Sequence, residues 1–144
     1  MSLVYFDTSA LLKLCLPEPG AELAAALWQG ASAVLTSRLT DAEGRCALAA
    51  GRRFGLLDTK QADQALEHWR TLWPAMYLLE LSPAVSDLAA ELAARYPLRG
   101  GDAIHVASAA ELGRGTILAS WDMPVQRAAT ALGLAVVPRF TNHL

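Results

Sequence analysis

Four acidic residues from distant parts of the chain, Asp7, Glu43, Asp102 and Asp122, stand where expected strands end or helices begin. Asp7 directly follows the apolar run Leu3-Val4-Tyr5-Phe6 and heads the polar triplet Asp7-Thr8-Ser9. Glu43 falls in the first turn of the helix expected after Ala33-Val34-Leu35-Thr36. Asp122 lies just past Thr116-Ile117-Leu118-Ala119, after Ser120-Trp121, and Asp102 opens a small-residue helix behind Gly100-Gly101. Acids that follow adjacent parallel strands, here Asp7, Glu43 and Asp122, meet at the carboxyl edge of the sheet, where open α/β sheets bind ligands, and Asp102 can reach the same cleft from its helix terminus. Two carboxylates ~5 Å apart repel by roughly 3 kcal/mol at an effective dielectric of ~20. Four such groups raise one another's pKa values or splay apart. A hard divalent cation relieves that repulsion and prefers carboxylate oxygens. His68, His105 and His143 are scattered, so no zinc-type cluster competes, and the natural occupant is Mg²⁺ or Mn²⁺.

Taken singly, each acid has a structural role open to it. Thr40-x-x-Glu43 matches a capping box, Asp102 suits an N-cap or a first helical turn, and Asp7 and Asp122 can cap the helices that follow them. Asp41 is a fifth acid beside Glu43. Helical geometry sets the two about 200° apart, so only one of them faces inward. Glu22, Asp63, Glu67, Asp87, Glu91 and Glu111 sit inside helical patterns and read as solvated faces.

Positioning the four acids requires strands that alternate with helices, and the patterning supplies them. The opening run of β-favouring apolar residues predicts a strand covered on both faces. A helix follows to about Cys15, stopped by Pro17 and Pro19, and a second is signalled by Glu22, Leu23, Ala26 and Leu27 up to Gly30. After the strand at Ala33, a helix over 40–53 carries Ala42, Cys46, Ala49 and Ala50 on one side. Asp58 and Gln61 form a capping box for a helix with Ala62, Ala65, Leu66, Trp69, Leu72 and Trp73 at helical spacing. Met76 to Leu79 reads as a third strand, and Ser82-Pro83 starts the next helix. A helix from Asp102, a strand from Thr116, a short helix from about Pro124 and a last strand over 134–137 complete the order; the tail from Arg139 carries no clear signal. This alternation predicts a three-layer α/β/α sandwich with a central parallel sheet of four to five strands, residues 1–144 forming one domain.

Composition bounds the reading. The 144 residues are 53% hydrophobic and 18% charged, which excludes disordered and fibrous classes. A net charge of −2 gives no global basic field, so any polyanion must be held by a local patch. Cys15 and Cys46 lack CxxC spacing and lie among apolar residues, as buried free thiols in a reducing cytoplasm would. The start lacks a basic segment followed by an apolar one, and no stretch reaches the ~20 apolar residues of a membrane span.

Four stretches together resemble the PIN domain. They are Tyr5-Phe6-Asp7-Thr8-Ser9-Ala10-Leu11, the helical Glu43 after the second strand, Asp102-Ala-Ile-His-Val-Ala-Ser-Ala109, and a strand followed by Ser120-Trp121-Asp122. The resemblance spans essentially the whole chain, and its short form is similar to VapC-type toxins of toxin–antitoxin pairs. It implies a Mg²⁺- or Mn²⁺-dependent endoribonuclease with Asp7, Glu43, Asp102 and Asp122 as catalytic, metal-binding acids. Thr8, Ser9 and Ser120 would support them or contact phosphate, and Arg99 is a further candidate phosphate contact. It also implies a cytoplasmic protein that forms a homodimer and is held inactive by a cognate antitoxin.

RNA must be drawn past these acids, and Lys13, Arg38, Arg45, Arg99 and Arg127 are expected near the cleft. Arg52-Arg53 reads instead as a partner for a helix C-terminus. His105, one turn past Asp102, reads as a packed or hydrogen-bonded helix residue before it reads as a general base. Trp28, Trp69 and Trp73 fit a core or a dimer surface better than base stacking. A second class stays open: a PIN-like binding module with little or no activity that acts through a protein partner. A haloacid-dehalogenase-type phosphotransferase needs an acid where Ser9 stands, and a receiver domain needs an Asp after the third strand, where Glu80-Leu81-Ser82 stands.

Overall fold

A computed structural model describes residues 2–139. His143 and most of the tail lie outside the described residues. Five parallel strands form one sheet in the order β3-β2-β1-β4-β5: β1 Leu3–Phe6, β2 Ala33–Ser37, β3 Tyr77–Leu79, β4 Thr116–Ala119 and β5 Ala135–Val137. Among the described residues there are seven α-helices, α1 Thr8–Cys15, α2 Ala21–Gly30, α3 Leu39–Arg53, α4 Thr59–Leu72, α5 Pro83–Arg95, α6 Gly100–Glu111 and α7 Met123–Ala131, and a short 3-10 turn at Trp73–Ala75. The predicted three-layer α/β/α sandwich with a parallel sheet is what the chain forms.

β1 is central, and its side chains alternate between the two layers. Tyr5 joins the core made with α5, α6 and α7, through Val85, Leu92, Val106, Leu118 and Val125. Val4 and Phe6 face the other way, onto Leu11 of α1, Trp28 of α2 and Trp69 of α4. Val4, Tyr5 and Phe6 are all buried, which is why this strand reads as a continuous apolar run and not an alternating one. The chain lays down β1, β2 and β3 outward on one side, then returns to place β4 on the other flank of β1. The sheet therefore has its topological switch point between β1 and β4, and the loops there open a crevice at the carboxyl edge.

α3 corrects the sequence reading. The 3.6-residue spacing of Ala42, Cys46 and Ala49 suggests an apolar inner side, yet all three are exposed. The buried stripe is Thr40, Gly44, Leu48 and Gly51. The reason lies across the interface, where the Trp69 indole of α4 fills the space over Gly44. A Cβ there would come within 2.1 Å of the ring. Trp69 is fully buried, and its Nε1 donates to Asp41 at 3.0 Å. α3 thus buries its smallest residues so that its partner can bury its largest. Cys46 is exposed and Cys15 half-buried, both as free thiols, so the expected burial of both fails for Cys46.

The helix starts follow their local chemistry. Asp58 caps α4 in a reciprocal capping box with Gln61, and Ser82 caps α5 ahead of Pro83. The capping box proposed for Thr40 and Glu43 does not form. Thr40 Oγ1 instead pairs with Thr36 Oγ1 at 2.7 Å, in the buried layer under the sheet edge, leaving Glu43 free to turn elsewhere. Asp102 stands at the third position of α6 and accepts from the Arg99 backbone N–H at 3.3 Å, so the helix begins before it, at Gly100. Among the described residues no helix is long and apolar enough to cross a membrane.

Candidate active site

At the switch point lies a cleft of about 240 Å³ lined by Asp7, Thr8, Ser9, Leu12, Glu43, Asp102, His105 and Asp122. All four predicted acids are there: Asp7 from the end of β1, Glu43 from the second turn of α3, one turn later than expected, Asp102 from the first turn of α6 and Asp122 from the loop after β4. Larger grooves of about 500 and 570 Å³ run along α1, α2 and α4, but apolar side chains dominate them and no carboxylates cluster there. Asp41 is excluded: its carboxylate is turned toward α4, taken by Trp69 and by Arg45 at 2.8 Å.

Asp7 is buried and serves two purposes. Its Oδ1 caps α1 by accepting the Ala10 N–H at 3.0 Å, and it also accepts Ser9 Oγ at 2.6 Å. Its Oδ2 accepts Ser120 Oγ at 2.5 Å. Burial pushes the Asp7 carboxyl up from its ordinary value, and His105 and these hydrogen bonds pull against it. The two serines also tie the loops after β1 and β4 together. Ser9 Oγ accepts the Trp121 N–H at 2.9 Å, and Ser120 Oγ accepts the Asp122 N–H at 3.1 Å. Gln126 of α7 completes the brace by donating to the Ser120 carbonyl at 2.6 Å.

Glu43 is held more tightly than the spacing of acids suggests. Its Oε1 accepts Thr8 Oγ1 at 2.6 Å and His105 Nε2 at 2.6 Å. Its Oε2 lies against α6, where Gly101 leaves room: a Cβ on that residue would stand 2.5 Å from the oxygen. Burial alone would raise the Glu43 carboxyl, but the hydrogen bonds from His105 and Thr8 outweigh it and leave the group below its ordinary value. Asp102 and Asp122 meet across the mouth. Burial first, then the charge and hydrogen bond of Asp102 and the charge of Asp7, lift Asp122 to about 6, while Arg99 works in the opposite direction.

The basic residues are less concentrated than predicted. Lys13 pairs with Glu18 at 3.4 Å beside the Trp121 ring, Arg38 with Glu80 at 2.8 Å, and Arg45 with Asp41. Each is engaged with a carboxylate outside the cleft. Arg99, exposed at the start of α6, is the one whose charge reaches Asp122.

Among the described residues, no three His, Cys, Asp or Glu side chains converge on one point as an enclosing metal cage. The donor chemistry nevertheless fits a hard divalent cation. Asp7, Glu43, Asp102 and Asp122 offer only oxygen, and the charges of Asp102 and Asp7, which add to burial in lifting Asp122 to about 6, are of the kind a cation offsets. Three residues of this site were not legible as such from spacing. Tyr5 is the polar tip in an otherwise apolar buried strand, which demands a partner. Gly101, second of two glycines, marks a close approach. His105 was readable as a hydrogen-bonded helix residue, and the structure shows that its partner is a site acid.

The PIN domain profile matches residues 4–122, from β1 to the last of the four acids. The chain belongs to the PIN domain family. Ribonuclease VapC45 and Ribonuclease VapC49 of Mycobacterium tuberculosis are each 43% identical to it over 139 residues, 96% of this chain and 96% of either relative. Among solved structures, PAE2754 from Pyrobaculum aerophilum has the same fold, with a TM-score of 0.70 at 21% identity over 94% of this chain and 84% of that one. A toxin–antitoxin complex from Klebsiella pneumoniae has it too, with a TM-score of 0.59 at 21% identity over 83% of this chain and 87% of its own. The cleft at the switch point is thus the cleft of a PIN domain, with the four acids on the elements described above.

Proposed function

We propose that this PIN domain is a divalent-metal-dependent endoribonuclease and the toxin of a toxin–antitoxin pair. The observation that carries the proposal is the meeting of Asp7, Glu43, Asp102 and Asp122, from four separate segments, in one cleft beside the sheet's switch point. Ribonuclease activity in the names of the two 43% identical relatives supports the reaction class.

The four acids would hold Mg²⁺ or Mn²⁺. When bound, such an ion activates water and neutralises charge that builds up on the phosphoryl oxygens. Asp7 is fixed by Ser9, Ala10 and Ser120, so its carboxylate keeps one orientation. Glu43 is fixed by Thr8 and His105. Asp102 and Asp122 face each other at the mouth, where burial and the neighbouring negative charge lift Asp122 and a cation would offset that charge. Arg99 stands at the edge of the same mouth, where an incoming phosphodiester meets it before the acids, and its role is to position the strand. A protein partner is proposed as well, an antitoxin that occludes the cleft; the similarly folded protein from Klebsiella pneumoniae belongs to a toxin–antitoxin complex. Exposed Phe54, Leu56, Tyr77 and Leu81 offer apolar surface for that partner or for a second copy of the chain in a homodimer. The site of action proposed is the cytoplasm, where an RNA substrate is met.

The deciding experiment is cleavage of single-stranded RNA by the purified protein with Mn²⁺, with Mg²⁺ and with EDTA, followed by mapping of the ends. Cleavage in both metals, none in EDTA and none by Asp7→Asn is the expected pattern. Cleavage that persists in EDTA, or a fully active Asp7→Asn protein, refutes it.

A further inference from the structure

We propose that His105 and Tyr5 are positioning residues that set the Glu43 carboxylate for metal binding; the inference rests on the nuclease reading above. Three buried or half-buried groups form a line through the molecule. The Tyr5 hydroxyl, in the middle of β1, lies 2.7 Å from His105 Nδ1, and His105 Nε2 lies 2.6 Å from Glu43 Oε1. Tyr5 is fully buried and His105 nearly so, at 3% exposure, so neither group has water as an alternative partner.

The chemistry of the three groups leaves little choice of arrangement. A carboxylate only accepts hydrogen bonds, so Nε2 must carry its proton toward Glu43. In the neutral ring Nδ1 is then a lone pair, and the Tyr5 hydroxyl is a donor placed to meet it. In the charged ring Nδ1–H meets the same hydroxyl as an acceptor. Tyr5 satisfies the far nitrogen in either state and so keeps Nε2–H aimed at the acid. The ring also packs edge-on against Tyr5, with centroids 5.9 Å apart, which fixes its plane. Thr8 Oγ1 lies 3.3 Å from Nε2 and shares Oε1 with it. Oε1 is thereby occupied from inside the protein, which directs the remaining oxygen, Oε2, to the space that Gly101 leaves open. Both ring nitrogens of His105 are engaged within the protein, Nδ1 with Tyr5 and Nε2 with Glu43, so it acts through Glu43.

The test titrates Mn²⁺ alone into the wild-type protein and into Tyr5→Phe, His105→Gln and His105→Ala, by calorimetry without RNA, and then measures kcat and KM on an RNA oligonucleotide. Supports of this kind typically cost about 10–100-fold in metal affinity when removed. His105→Ala is expected in that range and Tyr5→Phe near its low end, at about 10-fold, with kcat falling and KM for RNA unchanged. Gln presents an N–H near the Nε2 position, so His105→Gln is expected to recover most of the loss. A glutamine no better than alanine overturns the proposal, because the histidine then serves only packing, and so does a His105→Ala protein that binds Mn²⁺ as the wild type does. Long-range proton–nitrogen spectra of the wild-type imidazole check the arrangement without any variant: Nε2 must carry the proton, and an unprotonated Nε2 overturns the proposal. A wild-type protein that neither binds Mn²⁺ nor cuts RNA refutes the nuclease reading itself, an outcome distinct from active variants.

Discussion

Replacing Gly101 with alanine is expected to leave the protein folded and to disable it. Gly101 lies in the first turn of α6 with a backbone conformation that alanine adopts, since its φ is not positive. Alanine favours a helix over glycine by about 0.8–1 kcal/mol, so the fold gains or loses less than about 1 kcal/mol. The added Cβ, however, would stand 2.5 Å from Glu43 Oε2, where ordinary contact begins at 3.4 Å, so the carboxylate must withdraw by about 0.9 Å. It cannot withdraw and keep both 2.6 Å bonds to Thr8 and His105. A charge-assisted hydrogen bond is worth about 1.5–3 kcal/mol, which corresponds to about 10- to 150-fold in rate if one is lost from the active arrangement. Thermal melts and single-turnover RNA cleavage measure the two effects separately. Gly100→Ala is the control, because nothing lies within 4 Å of its Cβ position; it should cut RNA as the wild type does. A Gly101→Ala protein with full activity would refute the claim that Glu43 is held in one place for a purpose. One that melts well below the wild type would show that the clash is absorbed by the helix instead.

Four further outcomes follow from the same geometry. Asp7→Asn should reduce cleavage by at least about 100-fold, an effect of roughly 3 kcal/mol on the barrier, with its fold retained on circular dichroism. Ser120→Ala removes one brace of Asp7 and should cost about 10-fold in the same cleavage assay, the size of one hydrogen bond to a charged group. Asp122, lifted from 3.8 to about 6, makes the metal-free fold lose stability as pH rises from about 4 to about 6, because the folded state must release a proton that the unfolded chain has already lost. Glu43, with a lowered pKa, has the opposite sign and loses its contribution as pH falls, so the difference between wild type and Asp122→Asn in melts over pH isolates Asp122; added Mn²⁺ should stabilise the wild type more than the variant. Gly44→Ala drives a methyl into the Trp69 ring and should destabilise the fold by about 1–3 kcal/mol in urea melts.

Order and type of the strands were legible because each apolar run is bounded by proline, glycine or an acid, and because a fully covered strand shows itself as an unbroken apolar stretch. Asp7 and Asp122 were legible for a related reason, since a carboxylate just past a strand has a known place in a parallel sheet; Glu43 and Asp102 were legible only from their places near helix starts. What the pattern hid was the content of the faces. Hydrophobicity put Ala42, Cys46 and Ala49 inward on α3, but the indole of Trp69 needed empty space, and glycine supplies that without appearing apolar. The basic residues misled for an analogous reason. Lys13, Arg38 and Arg45 are near the sheet's carboxyl edge in sequence terms, yet each has a carboxylate neighbour that only the folded chain reveals. The line from Tyr5 through His105 to Glu43 joins residues 100 and 62 positions apart, which no local spacing encodes.

The serine brace has a consequence for how the protein is made. Asp7 emerges from the ribosome early, but its Oδ2 partner, Ser120, is 113 residues later, and β1 lacks its β4 neighbour until Ala119 has been added. Domains of this size fold largely as units once their strands are available. A nascent or prematurely terminated chain that ends before residue 119 therefore has no assembled cleft, however well its first half has formed. Under the nuclease reading proposed above, every incomplete copy lacks the cleft that would cut RNA, and only chains long enough to place β4 beside β1 carry it.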